Sequence, residues 1–162
     1  MILVTVGASQ FPFDRLVQGA ELLAGKDDVV VQHGPSRIRP IGTTCLEFLP
    51  FDRLAEQVQL ATSVVTHGGV GSILVALANG KRPVVVPRRK AFGEAVDDHQ
   101  VECAARFREA GLVEVVDDPL DLEAALASAA TSSGAVLGGG PLEEELRGYL
   151  ARVVERNGSE KR

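Results

Sequence analysis

"VVTHGGVGS" (64–72) leads straight into "ILVALANGKRPVVVP" (73–87), and this junction decides the fold. Two β-branched apolar residues run into a histidine and three closely spaced glycines. An apolar stretch with helical spacing then ends at Asn-Gly, where a helix C-terminus is expected, and a proline-bracketed valine run follows. The unit reads as buried strand, tight turn, helix, buried strand. Two readings of the turn stand side by side: a tight connection for close helix–sheet packing, or a cradle for something anionic.

Outward from the junction the pattern repeats. "ILVTV" (2–6), "VVVQ" (29–32), "CLEFL" (45–49), "SVVT" (63–66), "PVVVP" (83–87) and "VEVV" (113–116) are short apolar runs, as expected of strands buried on both faces. Helices are predicted over 13–24, 51–61, 69–80, from about 99 to Gly111, over 121–130, and over "LEEELRGYLARVVE" (142–155). The alternation predicts an α/β fold: a doubly wound, Rossmann-like parallel sheet of six strands in the order 3-2-1-4-5-6, with an amphipathic C-terminal helix. The core domain is expected over 1–137, a glycine linker at 138–140, the final helix at 141–156 and a tail at 157–162. In that helix Leu142, Leu146, Tyr149, Leu150 and Val153 form an apolar stripe, which either packs on the sheet or meets a partner.

Composition narrows the function. With 17 Lys and Arg against 22 Asp and Glu, the net charge of −5 argues against a nucleic-acid binder. No run approaches the roughly 18 apolar residues of a membrane span, and the start lacks the basic flank of a signal peptide. Cys45 and Cys103 show no metal-like spacing and are expected in a reducing cytoplasm. No His or acid pair has metal-ligand spacing, and no G-x-S-x-G elbow occurs, so neither a metal nor a cofactor is expected.

The strand order points to a crevice. A ligand of such a sheet binds beyond the carboxyl ends of strands 1 and 4, where the order reverses. "GASQFP" (7–12) follows strand 1, and "HGGVGS" (67–72) follows strand 4. Gly68, Gly69 and Gly71 would let a phosphate approach the backbone, the start of the helix would offer unpaired N–H groups, and Ser72 would add a hydroxyl or cap. His67 would donate to a phosphate oxygen or cap the turn. After strand 5, "PRRKAFGEAVDDHQ" (87–100) supplies Arg88, Glu94, Asp98, His99 and Gln100, groups suited to sugar and ribose hydroxyls. Its alternative reading is an exposed charged loop with Asp97 or Asp98 capping the next helix.

"THGGVGSILVALANGKRPVVVP" (66–87) followed by "FGEAVDDHQVECAARF" (92–107) resembles the C-terminal, donor-binding half of family 28 glycosyltransferases. "MILVTVGASQFPFDRLV" (1–17), "VVVQHG" (29–34) and "FLPFDRLAEQVQLATSVVTHGG" (48–69) extend the likeness to about residues 1–116. It is nearest to the short Alg13-like members and to those making exopolysaccharide linkages. The resemblance implies one half of a GT-B fold, a nucleotide diphosphate sugar donor, with uridine inferred from the family, and no required metal. It assigns His67, Gly68, Gly69, Val70, Gly71 and Ser72 to the diphosphate loop, Gly7 and Ala8 to the loop closing over the donor, and Gln100 to the donor sugar. Two positions depart from the family pattern. Val75 stands where many two-domain relatives carry a ribose-binding Glu, so that ribose binding falls to another group, with Glu94 the candidate, or is weaker. Ala95 stands where many close relatives carry a His.

The expected function is therefore the donor-binding catalytic subunit of a metal-independent, inverting glycosyltransferase. It would act on a lipid-linked or polysaccharide acceptor with a separate, membrane-associated acceptor-binding subunit, in the cytoplasm and without inserting into the membrane. His67 is the fallback catalytic base. The alternative is a non-catalytic module that binds a nucleotide sugar and reports on it. A sugar-nucleotide epimerase is disfavoured by length, since that chemistry uses both GT-B halves in one chain.

Overall fold

The computed structural model describes residues 1–131, and the linker, final helix and tail expected beyond them lie outside the described residues. Within that span the strands are β1 (Ile2–Thr5), β2 (Val29–Gln32), β3 (Thr44–Leu46), β4 (Ser63–His67), β5 (Val84–Val86) and β6 (Glu114–Val115). They form one all-parallel sheet in the order β3-β2-β1-β4-β5-β6, which is the doubly wound order read from the sequence. The helices are α1 (Asp14–Gly19), α2 (Phe51–Leu60), α3 (Val70–Ala78), α4 (His99–Glu109) and α5 (Leu122–Thr131).

Register decides which face each valine serves. Val4 pairs with Val31 and Val65, and Val65 with Val84; all four join one core cluster with Phe13, Leu16 and Val17 of the α1 region and Leu122 of α5. Leu3 pairs with Val64 and packs the opposite way, against Val58 of α2 and Ala76 of α3. Val85 joins Ile73, Leu74 and Leu77 of α3 and Ala104 and Phe107 of α4. Adjacent residues along a strand thus feed opposite faces, which is why the strands read as unbroken apolar runs. Each fully buried Leu or Val contributes roughly 1.5–3 kcal/mol of transfer free energy.

Most elements end a residue or two inside their sequence pattern, and two depart by more. The helix expected over 13–24 is α-helical only to Gly19 and tightens to a 3-10 turn over Ala20–Leu23. A Cβ at Gly19 would collide with the Pro119 ring, so the end of α1 lies close against the β6–α5 connection. The strand expected over 45–49 pairs only as Thr44–Leu46. Beyond it the chain leaves the ladder, although His33 N–H and Gly34 N–H still donate to the carbonyls of Leu46 and Glu47.

Candidate functional site

The carboxyl ends of β1 and β4 lie side by side, Thr5 opposite Thr66, and the two loops that leave them face one another. Gly7 takes φ +75°, a left-handed turn that a side chain would strain, and its N–H donates to Thr5 Oγ1 at 3.2 Å. Gln32, buried at the end of β2, donates from Nε2 to the Gly7 carbonyl at 3.0 Å and also contacts Thr5 Oγ1. The first loop is therefore held from beneath by two side chains of the sheet.

The three glycines after β4 do three different things. A Cβ on Gly69 would fall into the His67 imidazole, and so would one on Gly7, so the ring sits between two bare backbone segments. A Cβ on Gly68 would lie 2.8 Å from Gln100 Cβ and 2.9 Å from the Gln100 carbonyl, so that glycine lets α4 approach. Around Gly71, at the second position of α3, the space is open to 4 Å. No side chain caps α3, whose N-cap residue is Gly69 in extended conformation. Its first N–H groups thus lack intrahelical partners and end in open space, beside Ser72, where the helix dipole favours an anion.

His67 is not poised as a base. Burial, and then the positive charge of Arg88, pull its pKa from 6.5 to about 4 against an opposing hydrogen bond to the Thr5 carbonyl. The ring is neutral at pH 7, with Nδ1 3.3 Å from Thr66 Oγ1. The low pKa makes the ring, expected as the fallback base, a weak one, and its seat between Gly7 and Gly69 shapes the loop.

The β5–α4 connection also departs from its expected role. Gln100 is buried, and its Oε1 accepts from Gly68 N–H at 3.1 Å and Arg88 N–H at 3.2 Å, fastening the glycine loop to the end of β5. The Glu94 carboxylate is buried and takes Arg15 Nε and Nη2, each at 2.9 Å, and Arg89 N–H at 2.9 Å. Its oxygens are engaged by Arg15 and Arg89, and it is not among the residues that line the cleft beside Gly71 and Ser72. The Arg88 side chain has no exposed surface and turns into the protein, with its pKa drawn to about 10 by burial. Asp98 accepts from Lys90 N–H at 2.9 Å rather than capping α4. Asp97 binds the exposed ring of His99 and also accepts its N–H at 3.1 Å.

Between the two loops and α2 opens a cleft of about 260 Å³, lined by Gly7, Ala8, Gly71 and Ser72 from the expected set. Val70 is not part of this lining; it is 42% exposed and lines a separate pocket with His99, Glu102 and Cys103 of α4. Thr5, Gln32, Phe48, Leu49, Phe51, Leu54 and Val75 complete the lining. Val75 was singled out in the sequence only as a departure from the family pattern, and the other six were not singled out. Their common signal was position, at the carboxyl end of a strand or the start of the following helix, rather than residue type. Val75 adds an apolar group to the cleft, and the neighbouring wall of Phe48, Leu49, Phe51 and Leu54 is apolar too. The cleft is small for a complete small-molecule site, which commonly encloses about 300–1,000 Å³.

The sequence profile of the glycosyltransferase family 28 C-terminal domain matches residues 1–135. The chain belongs to this family. A 53-residue stretch, 33% of the chain and 25% of the relative, is 45% identical to "UDP-N-acetylglucosamine transferase subunit ALG13" of Yarrowia lipolytica. The calicheamicin glycosyltransferase CalG4 superposes over 94% of the chain and 43% of its own length, with a TM-score of 0.60 at 23% identity. The glycotransferase of kitacinnamycin does so over 96% and 43%, with a TM-score of 0.61 at 22% identity. The chain therefore has the fold of part of these glycosyltransferases and spans less than half of their length.

Proposed function

We propose that this chain is the donor-binding half of an inverting glycosyltransferase that takes its sugar from a uridine diphosphate sugar. The observation that carries the reading is the uncapped, open N-terminus of α3 at Gly71 and Ser72, beside an apolar cleft at the point where the sheet order reverses. Backbone N–H groups and the Ser72 hydroxyl suit a diphosphate, and the Phe48–Leu54 wall suits the flat face of a base or the apolar side of a ribose.

In the transfer, an acceptor hydroxyl oxygen bonds to the anomeric carbon from the side opposite the leaving group. The bond from that carbon to the diphosphate oxygen breaks, and its electron pair leaves with the nucleotide. The N–H groups of α3 face the charge that develops there, in a loop fixed in advance by Gln100 and His67. We infer that the base that takes the acceptor proton comes from the half that brings the acceptor, because the His67 ring is seated between Gly7 and Gly69. An apolar rim supports such an association: Phe48, Phe51, Val70, Phe92 and Val96 are each 42–65% exposed, and all lie on the carboxyl side of the sheet. We further infer that the acceptor half is a separate, membrane-associated subunit carrying a lipid-linked or polysaccharide acceptor, which would hold this chain at the cytoplasmic face.

The suppressed basicity of His67 also favours a second reading, a module that binds the donor without turning it over. Calorimetry of the purified chain with uridine diphosphate, UMP and a panel of uridine diphosphate sugars tests both. Binding that requires the second phosphate, and that Gly71→Val removes, supports the donor site. Equal affinity for UMP and uridine diphosphate would sink it. Sugar transfer on adding an acceptor-binding partner separates the enzyme from the module.

A further inference from the structure

Arg88 stands out among the described residues as a side chain with no exposed surface that carries a charge. Its guanidinium makes no ion pair with a carboxylate; its hydrogen bonds go to backbone carbonyls. Nη2 donates to Val6 at 2.8 Å, and Nη1 donates to Phe11 at 2.9 Å, to Pro12 at 3.3 Å and to Glu94 at 3.1 Å. Nε has no partner, and the guanidinium carbon lies 4.6 Å from the centre of the Phe13 ring. A buried cation is an expensive way to fill a core, and an apolar residue would serve stability as well or better. The carbonyls explain its presence. Three belong to the irregular β1–α1 loop and one to the β5–α4 loop. The bonds to Val6 and Glu94 are buried, where a carbonyl needs a donor away from water, and those to Phe11 and Pro12 are half-buried.

We propose that Arg88 is a positioning residue for transfer: it clasps the β1–α1 loop to the β5–α4 loop from inside and so fixes the two walls beside the diphosphate seat. The inference rests on the donor-site reading above. One wall carries Gly7 and Ala8 at the cleft. The other is tied to the glycine loop, because Arg88 N–H and Gly68 N–H share Gln100 Oε1. The planar fork of an arginine reaches carbonyls in both loops at once, whereas a lysine offers a single ammonium at the end of a flexible stem. The clasp acts by holding the loops at one separation before the donor arrives, which removes an ordering step from binding.

Arg88→Lys, which keeps the charge, and Arg88→Met, which keeps the apolar stem, test the clasp. The readouts are calorimetry with uridine diphosphate and amide hydrogen exchange on the full chain. For folded Arg88→Lys we expect affinity for uridine diphosphate to fall at least tenfold. Exchange should accelerate at least tenfold at residues 8–11 and 89–95, while the amides of β1 and β4 stay protected. A merely structural role would instead speed exchange throughout, in step with global stability, and leave the affinity of the folded variant within twofold of the parent; that result overturns the inference. Unfolding of both variants overturns it as well, since Arg88 would then be a requirement of the core. Failure of the parent chain to bind uridine diphosphate would overturn the donor reading instead, while the exchange pattern would still report whether Arg88 holds the two loops.

Discussion

The loop after β4 and the loop after β5 leave neighbouring strands at the same edge, yet they are built on opposite plans. The first is glycine-rich, carries no charged residue at 67–72, and ends in backbone N–H groups with open space before them. The second is crowded with charge at 88–99, but the side chains of Arg88 and Glu94 are engaged inside the protein. A ligand is bound by groups whose hydrogen-bonding capacity is still unspent. The loop that looks chemically empty in the sequence has that capacity, and the loop that looks rich has largely used it.

The sharpest challenge to this contrast is Glu94→Ala. If the carboxylate is an internal tie, its removal leaves Arg15, whose side chain is 21% exposed, with only the carbonyls of Pro87 and Asp117 and no opposite charge, and frees the N–H of Arg89. Loss of a buried pair of this kind costs about 3 kcal/mol once the partial exposure of Arg15 is allowed for. Urea denaturation should show that loss, with the affinity of the folded variant for the donor changing little. A variant as stable as the parent but defective in binding would return Glu94 to the ligand.

Acid titration probes the other loop next. His67 titrates near 6.5 when unfolded and at about 4 in the native chain, so the unfolded state takes up the proton first. Its contribution is fully present above about pH 6.5 and is lost as the pH falls through 4. The full shift corresponds to about 3 kcal/mol, and partial solvent contact of the ring reduces this to about 2 kcal/mol. Chemical denaturation between pH 7 and pH 4, compared with His67→Gln, should show this slope in the parent and a weaker one in the variant. An NMR titration midpoint of the His67 ring near 6.5 would contradict the seat described here.

Gln100→Ala acts where the two loops meet. It leaves the buried N–H groups of Gly68 and Arg88 without their shared acceptor, for a loss of about 1–2 kcal/mol in stability. Because the amide holds the glycine loop, uridine diphosphate and its sugar conjugates should weaken by the same factor. A loss confined to the sugar conjugates would place the amide on the sugar.

The smallest effect is the most discriminating. Gly71→Ala adds a methyl to open space in a helix and should stabilise the chain by about 0.5–1 kcal/mol. The same methyl enters the seat proposed for the phosphate, so uridine diphosphate should bind less well to a more stable protein. Improved stability with unchanged binding would show that the diphosphate sits elsewhere.

The sequence by itself determined the sheet. Apolar runs of three to five residues alternating with helical spacing leave few ways to bury both faces, and the parallel order follows from right-handed crossovers. It also located the crevice, because a doubly wound sheet has one reversal and "HGGVGS" falls there. Element ends were less legible: α1 turns to a 3-10 geometry after Gly19, at the point where Pro119, a hundred residues on, sits against it. Tertiary structure alone decided what each polar group does. Glycine type does not distinguish a Cβ excluded by His67, as at Gly69, from one excluded by Gln100, as at Gly68, or from open space, as at Gly71. Charge type likewise does not say whether Arg88 meets a ligand or four backbone carbonyls. The physical reason is one of range. Hydrophobic periodicity is set by neighbours three or four residues away, whereas the partner of a buried donor is supplied by segments that only the folded chain brings together.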